Sequence, residues 1–410
     1  MHAINGHTGT PLEEVDEMNT SNSDSDDFDD TGSSVSSTNS DDGESSAVQA
    51  ENDEDEGAGA QVEDEEDSVI TAIMRARDKP NEKPPDVVSE DYLVDISFHP
   101  SADIIAGASV TGDALVYQYS VESTDLVATH ELHTKACRAI EFSQSGDLLF
   151  TTSADKSIMV TDSATGKLRQ FYDDAHEDPV YTLAVIDEHL IATGDENGVV
   201  RMWDLREKSH VFSSKKMEDY VSKILTNEEA RYLVCCSGEG TITSFDIAGK
   251  CVHIQSELYE AELTSAALFR KETKLVVSST RGSLLFYKWG DFGLHTDELP
   301  WATKRAINCL IPISENIAVT GWEDGQIRAT YLFPNRQLGV VGRHDLSVES
   351  LDISHDGAYI ASSSLDQRLR FWPIAFFEDP DLLQVDKAGR QRHLPSSNVV
   401  DRSEFFADLA

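Results

Sequence analysis

The chain has 410 residues and a formal net charge of −42, and residues 1–67 hold 22 Asp and Glu without a single Lys or Arg. This charge argues against the broad basic face that binding to the phosphate backbone requires, so direct nucleic-acid binding is not expected and a basic protein partner fits better. The five cysteines form no C-x-x-C pair and lie in apolar runs, which indicates reduced core thiols. No stretch reaches the roughly 18 apolar residues of a membrane span, so no membrane contact is expected.

Residues 1–67 combine acidic residues with Ser, Thr and Gly and have almost no aromatic side chains. Such a segment cannot bury enough apolar surface to offset the entropy of ordering, so we expect it to be disordered. Within it, Ser21, Ser23 and Ser25 lie among Asp residues, a setting that suits acid-directed kinases. We expect phosphorylation there, which would add roughly −1.5 to −2 charges per site.

Residues 68–90 are predicted to form a short helix and a linker. The helix covers residues 68–77, with Ser68 as its N-cap. Its apolar residues share one face: Val69, Ile70, Ile73 and Met74. Packing of this face on the rim of the following domain is favoured, and insertion of a linear motif into a partner's groove is the alternative.

From residue 91 onward one pattern recurs: an apolar strand, a polar turn, a second apolar strand, a tight turn and an alternating strand. The tight turns are Thr111-Gly112, Asp155-Lys156, Asn197-Gly198, Glu239-Gly240, Arg281-Gly282, Asp324-Gly325 and Asp366-Gln367. Six residues after the first member of each pair come Tyr117, Thr161, Trp203, Phe245, Tyr287, Thr330 and Trp372. Their spacing of 42–44 residues is typical of propeller blades. The sequence therefore predicts an all-β, seven-bladed β-propeller over residues 91–376.

The turns and the ends of the repeat make two further predictions. Each tight turn carries Gly or a polar residue, and we expect a positive φ there. The last repeat shows only three strands, so a fourth must come from elsewhere to close the ring. Residues near Asp86 to Val88 are the candidate donor, although Pro84-Pro85 just before them disfavours a strand.

Within this repeat, Trp203-Asp204 and three histidines resemble the WD repeat. The histidines are His133, His176 and His344, each 27 or 28 residues before the Thr or Trp that ends its repeat. In WD repeats a His, the Asp of the tight turn and the Trp of the strand form a buried hydrogen-bond network. The resemblance implies such a network at His133 with Asp155 and at His344 with Asp366 and Trp372, and it gives His176 and Trp203 the same structural role.

Other blades depart from this pattern. The His position of three blades is occupied by Met217, Tyr259 and Ala302. The Trp position is occupied elsewhere by Thr161, Phe245 and Thr330. We expect these blades to be stabilised mainly by apolar packing, because they lack the polar network. Acid pairs such as Asp173-Asp174 and Asp195-Glu196 are expected in exposed turns, as solvated charge.

No nucleotide-binding, zinc-protease, serine-hydrolase or EF-hand motif occurs in the sequence. The histidines already have a structural explanation in the repeat. We therefore expect no catalytic residue, no cofactor and no metal site.

One segment suggests a second function. Residues 190–206 end in Trp203-Asp204-Leu205-Arg206 and resemble the motif by which some WD-repeat proteins dock on the adaptor of a cullin-RING ubiquitin ligase. There the Asp and Arg make polar contacts at the lower edge of the blade, so the resemblance implies docking through Trp203, Asp204 and Arg206. Ordinary WD blades produce the same tetrapeptide, and that interpretation is favoured.

Residues 377–410 are predicted to be a C-terminal tail. Phe405, Phe406 and Leu409 give it an apolar edge after a polar linker. Two interpretations stay equally open: packing on the propeller rim and binding to a partner.

From residue 91 to the C-terminus the sequence resembles the WD repeat-containing protein 55 family. The stretches that carry the resemblance are residues 95–100, 133–138, 338–342, 394–397 and 405–409. It implies a nuclear, chiefly nucleolar protein, with room for a cytoplasmic pool, that supports ribosomal RNA processing and assembly of the large ribosomal subunit. Such a protein would be a scaffold that holds basic assembly factors, a monomer within larger complexes. The alternative function is a substrate receptor of a cullin-RING ligase.

Overall fold

A computed structural model describes residues 83–333, 335–374 and 377, and every structural statement below concerns these residues. The expected disordered tail, the helix over 68–77 and the candidate phosphorylation sites Ser21, Ser23 and Ser25 lie outside them. So does the C-terminal peptide with Phe405, Phe406 and Leu409. The described chain is all β, as predicted, and it contains no helix long and apolar enough to cross a membrane.

The strands form seven antiparallel four-stranded sheets, each of which is one blade. Blade 1 contains Leu93–Phe98 (β2), Ile104–Ser109 (β3), Asp113–Tyr119 (β4) and Thr124–Glu131 (β5). Blade 2 contains Cys137–Phe142 (β6), Leu148–Ser153 (β7), Ile158–Asp162 (β8) and Leu168–Tyr172 (β9). Blade 3 contains Val180–Val185 (β10), Leu190–Asp195 (β11), Val199–Asp204 (β12) and His210–Lys215 (β13).

The remaining four blades follow in the same order. Blade 4 contains Val221–Leu225 (β14), Tyr232–Ser237 (β15), Ile242–Asp246 (β16) and Cys251–Gln255 (β17). Blade 5 contains Leu263–Phe269 (β18), Lys274–Ser279 (β19), Ser283–Lys288 (β20) and Asp297–Pro300 (β21). Blade 6 contains Ile307–Pro312 (β22), Ile317–Trp322 (β23), Gln326–Leu332 (β24) and Asn335–Arg343 (β25). Blade 7 contains Val348–Ile353 (β26), Tyr359–Ser364 (β27), Arg368–Pro373 (β28) and, from the other end of the propeller, Val87–Val88 (β1).

The short strand β1 closes the ring: it is the fourth strand of blade 7, and it comes from the segment near Asp86 to Val88 that the sequence suggested as the donor. Val87 pairs with Leu369 and Val88 with Arg368, and the Ser89 N–H donates to Gln367 O at 2.9 Å. The two prolines do not prevent this, because they lie just before the strand and β1 is an edge strand, where proline is tolerated. The propeller is therefore closed by pairing between its first and last described strands.

The first strand of each blade lies next to the first strand of the following blade, and β26 returns to β2. The core lies between adjacent blades. At the closing junction Phe98 and Tyr119 of blade 1 meet Phe371 of blade 7, with the Tyr119 and Phe371 ring centroids 5.5 Å apart. Such aromatic pairs add to the burial that holds the faces of the blades together.

The tight turns adopt the conformation expected from the sequence. The second residue of all seven has a φ between 61° and 107°. Five of these residues are glycine, which has no Cβ to oppose this conformation. Lys156 and Gln367 adopt it despite their side chains. The regular turn geometry brings each turn beside the loop that leads into the next blade.

Candidate functional site: the blade networks and the central channel

The most complete blade network surrounds His344 and joins four side chains. His344 Nδ1 lies 2.9 Å from Asp366 Oδ2, and its Nε2 lies 2.7 Å from Ser362 Oγ. The Trp372 indole N–H donates to the same Ser362 Oγ at 2.7 Å. A consistent set of donors follows: Trp to Ser, Ser to His, and His to Asp. This chain needs a neutral imidazole, and burial, only partly offset by Asp366, lowers the pKa of His344.

Blade 3 has the same network, and its acid is a residue that the sequence analysis placed in an exposed turn. His176 Nδ1 lies 2.9 Å from Asp195 Oδ2, and its Nε2 lies 2.7 Å from Thr193 Oγ1, which also accepts from the Trp203 indole at 2.9 Å. The expectation that Asp195 carries solvated charge in an exposed turn is therefore wrong. Asp195 is the last residue of β11 and is fully buried.

In blade 2 a hydroxyl takes part in the contact between His and Asp. His133 Nδ1 lies 2.9 Å from Ser157 Oγ, which donates to Asp155 Oδ1 at 2.6 Å, and His133 Nε2 lies 2.9 Å from Thr151 Oγ1. Burial tends to raise the pKa of Asp155, but hydrogen bonds from Ser157 and from the Thr134 N–H lower it to about 2. The carboxylate is thus ionised, and it fixes both the loop and the turn.

Packing replaces the network in blades that lack the histidine. Met217 is buried among Val200, Val221 and Phe245, between blades 3 and 4. In blade 6 the residue at the His position is Trp301 rather than Ala302. The Trp301 N–H donates to Gly282 O at 3.1 Å, the bond that the His344 N–H makes to Gly325 O, and its ring packs edge-on against Trp322 at 5.3 Å. Ala302 is exposed.

The central channel opens at a ring of seven β-bulges. In every blade the pairing register of the first strand shifts between its first and third residues, which leaves the second residue as the bulge. We call these second residues the bulge ring: Val94, Arg138, Tyr181, Ser222, Thr264, Asn308 and Glu349. All seven line one cavity of about 410 Å³ at the channel mouth. Bulges redirect side chains and are common beside functional sites, so the bulge ring is a candidate site.

Farther along the channel, three carboxylates connect neighbouring blades. Asp352 accepts the Phe98 N–H at 2.6 Å, Asp95 accepts the Ile140 N–H at 3.0 Å, and Glu141 accepts the Val185 N–H at 3.1 Å. The inner edge of each blade has backbone N–H groups without a strand partner, and these acids satisfy three of them. The contacts run from blade 7 through blades 1 and 2 to blade 3. They were not anticipated, although acids inside otherwise apolar strands were a visible signal.

Burial in the channel makes the ionised forms of Glu141 and Asp352 unfavourable. Burial raises the pKa of Glu141 to about 7 and that of Asp352 to about 6, although Lys223 and backbone N–H groups favour their ionised forms. A folded-state pKa above the unfolded value means that stability is lost as pH rises through the folded pKa. Ionisation of Glu141 should therefore destabilise the propeller progressively between about pH 4.5 and pH 7.

Glu141→Gln should consequently stabilise the protein at alkaline pH. Gln keeps an oxygen for the Val185 N–H and removes the confined charge, so we expect a gain of roughly 1–2 kcal/mol at pH 8 that disappears below pH 4.5; water in the channel moderates the effect. Denaturant unfolding at several pH values measures it. Glu229→Gln, on an exposed loop, is the control and should show no such pH-dependent gain. A constant difference between Glu141→Gln and wild type at all pH values would contradict this assignment.

The proposed ligase-docking residues occupy contrasting environments. Trp203 is buried and engaged in its blade network, whereas the Arg206 side chain is 69% exposed. Arg206 Nε and Nη2 donate to Asp204 Oδ1 and Oδ2 at 2.8 and 2.6 Å, and these bonds hold the pKa of Asp204 below its usual range. Of the three residues, Arg206 is thus the one available to a partner.

Among the described residues no group of three or more His, Cys, Asp or Glu side chains is arranged to hold a metal ion. Cys137, Cys235, Cys236 and Cys309 are buried, in agreement with core thiols, whereas Cys251 is exposed on β17. Burial raises the pKa values of the four core thiols, which makes them poor nucleophiles. The described residues thus provide hydrogen-bond networks that stabilise the blades and a cavity at the channel mouth that is lined by the bulge ring.

Comparison with known proteins agrees with this architecture. The family model described as WDR55 matches residues 84–377. A WD repeat-containing protein 55 homolog of Aedes aegypti is 47% identical over 346 residues, which cover 83% of this chain and 74% of that protein. Homologs of the same name from Drosophila ananassae and Drosophila melanogaster are 45% and 44% identical, each over 83% of this chain and over 72% and 69% of their own lengths. The chain therefore belongs to the WD repeat-containing protein 55 family.

Proposed function

We propose that the protein is a non-catalytic scaffold of the nucleus, chiefly of the nucleolus, which supports ribosomal RNA processing and assembly of the large ribosomal subunit. The observation that carries this proposal is the family match, which spans the whole propeller. The architecture supports the scaffold part, because a rigid ring of blades offers several surfaces for partners at once.

The charge on the two faces of the ring supports basic partners. We call the His face the side formed by the tight turns and by the loops that lead from one blade into the next. These turns and loops together contain eighteen Asp and Glu against six Lys and Arg. The loops of the opposite face contain twelve against seven. A basic assembly factor would therefore be drawn mainly to the His face, because complementary potentials guide association.

Depletion of the protein tests this function directly. We expect precursor ribosomal RNA to accumulate, visible when pulse-labelled RNA is separated by size, because a missing scaffold leaves later processing steps without their factors. Re-expression of the full chain in the depleted cells is the control and should restore processing. Normal precursor levels after complete depletion would refute the ribosomal proposal.

A second candidate function, docking on a cullin-RING ligase adaptor, is favoured by the exposure of Arg206 on the opposite face. Arg206→Ala should abolish co-purification of the adaptor while leaving stability within about 0.5 kcal/mol of wild type, because an exposed arginine contributes mainly to an interface. Ribosomal RNA processing should remain normal in these cells.

Blade 2 offers a matched control for this experiment. Arg169 has a side chain that is 63% exposed and also pairs with the Asp at the end of its blade's third strand, Asp162. Arg169→Ala should leave adaptor binding unchanged. If both variants lost adaptor co-purification equally, or if Arg206→Ala kept it in full, docking through this motif would be excluded.

A further inference from the structure

The bulge ring combines features of a protein-binding hot spot. Tyr181 is 39% exposed, its ring centroid lies 4.7 Å from that of Tyr220, and the Arg138 guanidinium lies 5.4 Å from the Tyr181 ring centroid. The Tyr220 hydroxyl donates to Glu262 at 3.0 Å. Tyr and Arg dominate interface hot spots because they offer a large contact area together with polar groups. A half-exposed tyrosine already in contact with two neighbouring side chains needs little ordering on binding.

The electrostatic balance at the mouth leaves a carboxylate without a cation. Arg138 is already paired with Glu196, at 2.5 Å. Glu349, across the ring, forms no salt bridge with any described residue. Burial raises the pKa of Glu349, which a hydrogen bond with Ser347 only partly offsets. A cationic group entering the mouth would therefore meet an uncompensated acid.

The cavity continues inward to a further acid and to one lysine. Its walls include Asp95, one of the three carboxylates that connect blades, and the polar side chains of Thr264 and Asn308. Lys223 also lines it, and its charge favours the ionised forms of Glu141 and Asp352 farther along the channel, so Glu349 remains the acid without a cation. A long cationic side chain suits such a space, since its aliphatic stem contacts the ring walls while its head reaches the polar groups. The stem could also contact the exposed part of the Tyr181 ring. The net negative charge of the surrounding His face repels acidic peptides and nucleic acids.

We propose that the bulge ring is a docking site for a short basic segment of a partner protein, whose Arg or Lys side chain enters the channel mouth between Tyr181 and Glu349. The proposal rests on the scaffold function above and assigns to it a surface and a class of ligand. The backbone of the segment would lie across the His face, where the acidic loops supply long-range attraction.

The test uses the full chain and a fluorescent peptide made of Arg, Leu and Gly, with binding followed by fluorescence anisotropy. We expect binding that weakens with salt and that is lost when Gln replaces Arg in the peptide. Tyr181→Ala and Glu349→Gln should each weaken binding by about tenfold or more. Glu349→Gln preserves shape, so it reports on charge without disturbing the fold.

Two matched variants control for nonspecific effects. Phe171→Ala removes an aromatic ring that is 46% exposed on an outer strand, and Glu229→Gln removes an acid from the opposite face; both should bind like wild type. Equal affinity in all four variants would show that the peptide binds elsewhere, for instance to the acidic tail, and would overturn the proposed site. Absence of binding to the wild-type chain would also overturn it. Neither result touches the scaffold function, which fails only if depletion leaves RNA processing normal.

Discussion

Asp366→Ala is expected to lower the free energy of unfolding by about 1–3 kcal/mol. The Asp366 carboxylate accepts from His344 Nδ1 and from the backbone N–H groups of Asp345 and Arg368, at 2.9, 3.2 and 3.1 Å. Removing it leaves the buried imidazole without its acceptor and interrupts the donor chain that runs from Trp372. Because the members of this network orient one another, its loss should exceed that of one isolated hydrogen bond.

Glu239→Ala provides the comparison, since Glu239 occupies the same turn position in blade 4. There the buried residue at the His position is Met217, which offers no ring N–H. Glu239 accepts from the Glu218 N–H at 2.7 Å and from the Thr241 hydroxyl, both near the surface. We expect a cost below about 1 kcal/mol, because water can replace these partners. Urea denaturation measures both variants, and equal losses would show that the His–Asp contact does not carry the effect.

The periodic features of the fold could be predicted from sequence because each blade repeats the same local requirements. A positive φ in every tight turn and an apolar strand on either side leave a regular signal. A fixed spacing between the His position and the Thr or Trp that ends the repeat does not identify the right residue where a blade differs in length. Trp301 takes the His position instead of Ala302 because the segment from it to Thr330 is one residue longer than the segments from His133 to Thr161 and from His344 to Trp372. Asp195 differs from the expected exposed charge because it approaches His176 from the end of β11, two residues before the turn position that Asp366 uses in blade 7.

The channel could not be derived in the same way. A bulge changes which residues of a strand face the channel, and the sequence of an inner strand does not show where the register shifts. Tyr181 and Glu349 therefore read as ordinary strand residues until the pairing is known. The carboxylates of Asp95, Glu141 and Asp352 raise the same difficulty, since their partners are backbone N–H groups of a neighbouring blade that is adjacent only in three dimensions.

The glycine at the tight turn of blade 4 should be intolerant of any side chain. A Cβ on Gly240, where φ is +95°, would lie 2.3 Å from the backbone oxygen of Tyr259 and 2.9 Å from that of Ala261. The Tyr259 N–H also donates to Gly240 O at 2.9 Å, so the loop cannot withdraw without breaking this bond. Gly240→Ala should cost about 2–5 kcal/mol: about 1–2 kcal/mol for the left-handed conformation and 1–3 kcal/mol for the overlap.

Gly357→Ala separates these two contributions. Gly357 has a φ of +69°, but a Cβ there would meet nothing within 4 Å, so only the conformational cost of about 1–2 kcal/mol applies. Replacing Gly by Ala also restricts the unfolded chain by a similar amount at both sites, and this effect cancels in the comparison. Urea denaturation should therefore place Gly240→Ala about 1–3 kcal/mol below Gly357→Ala, with unchanged slopes. Equal stability of the two variants would mean that the loop into blade 5 yields to the added methyl group, and that its close contact with the turn does not contribute to fixing the His face.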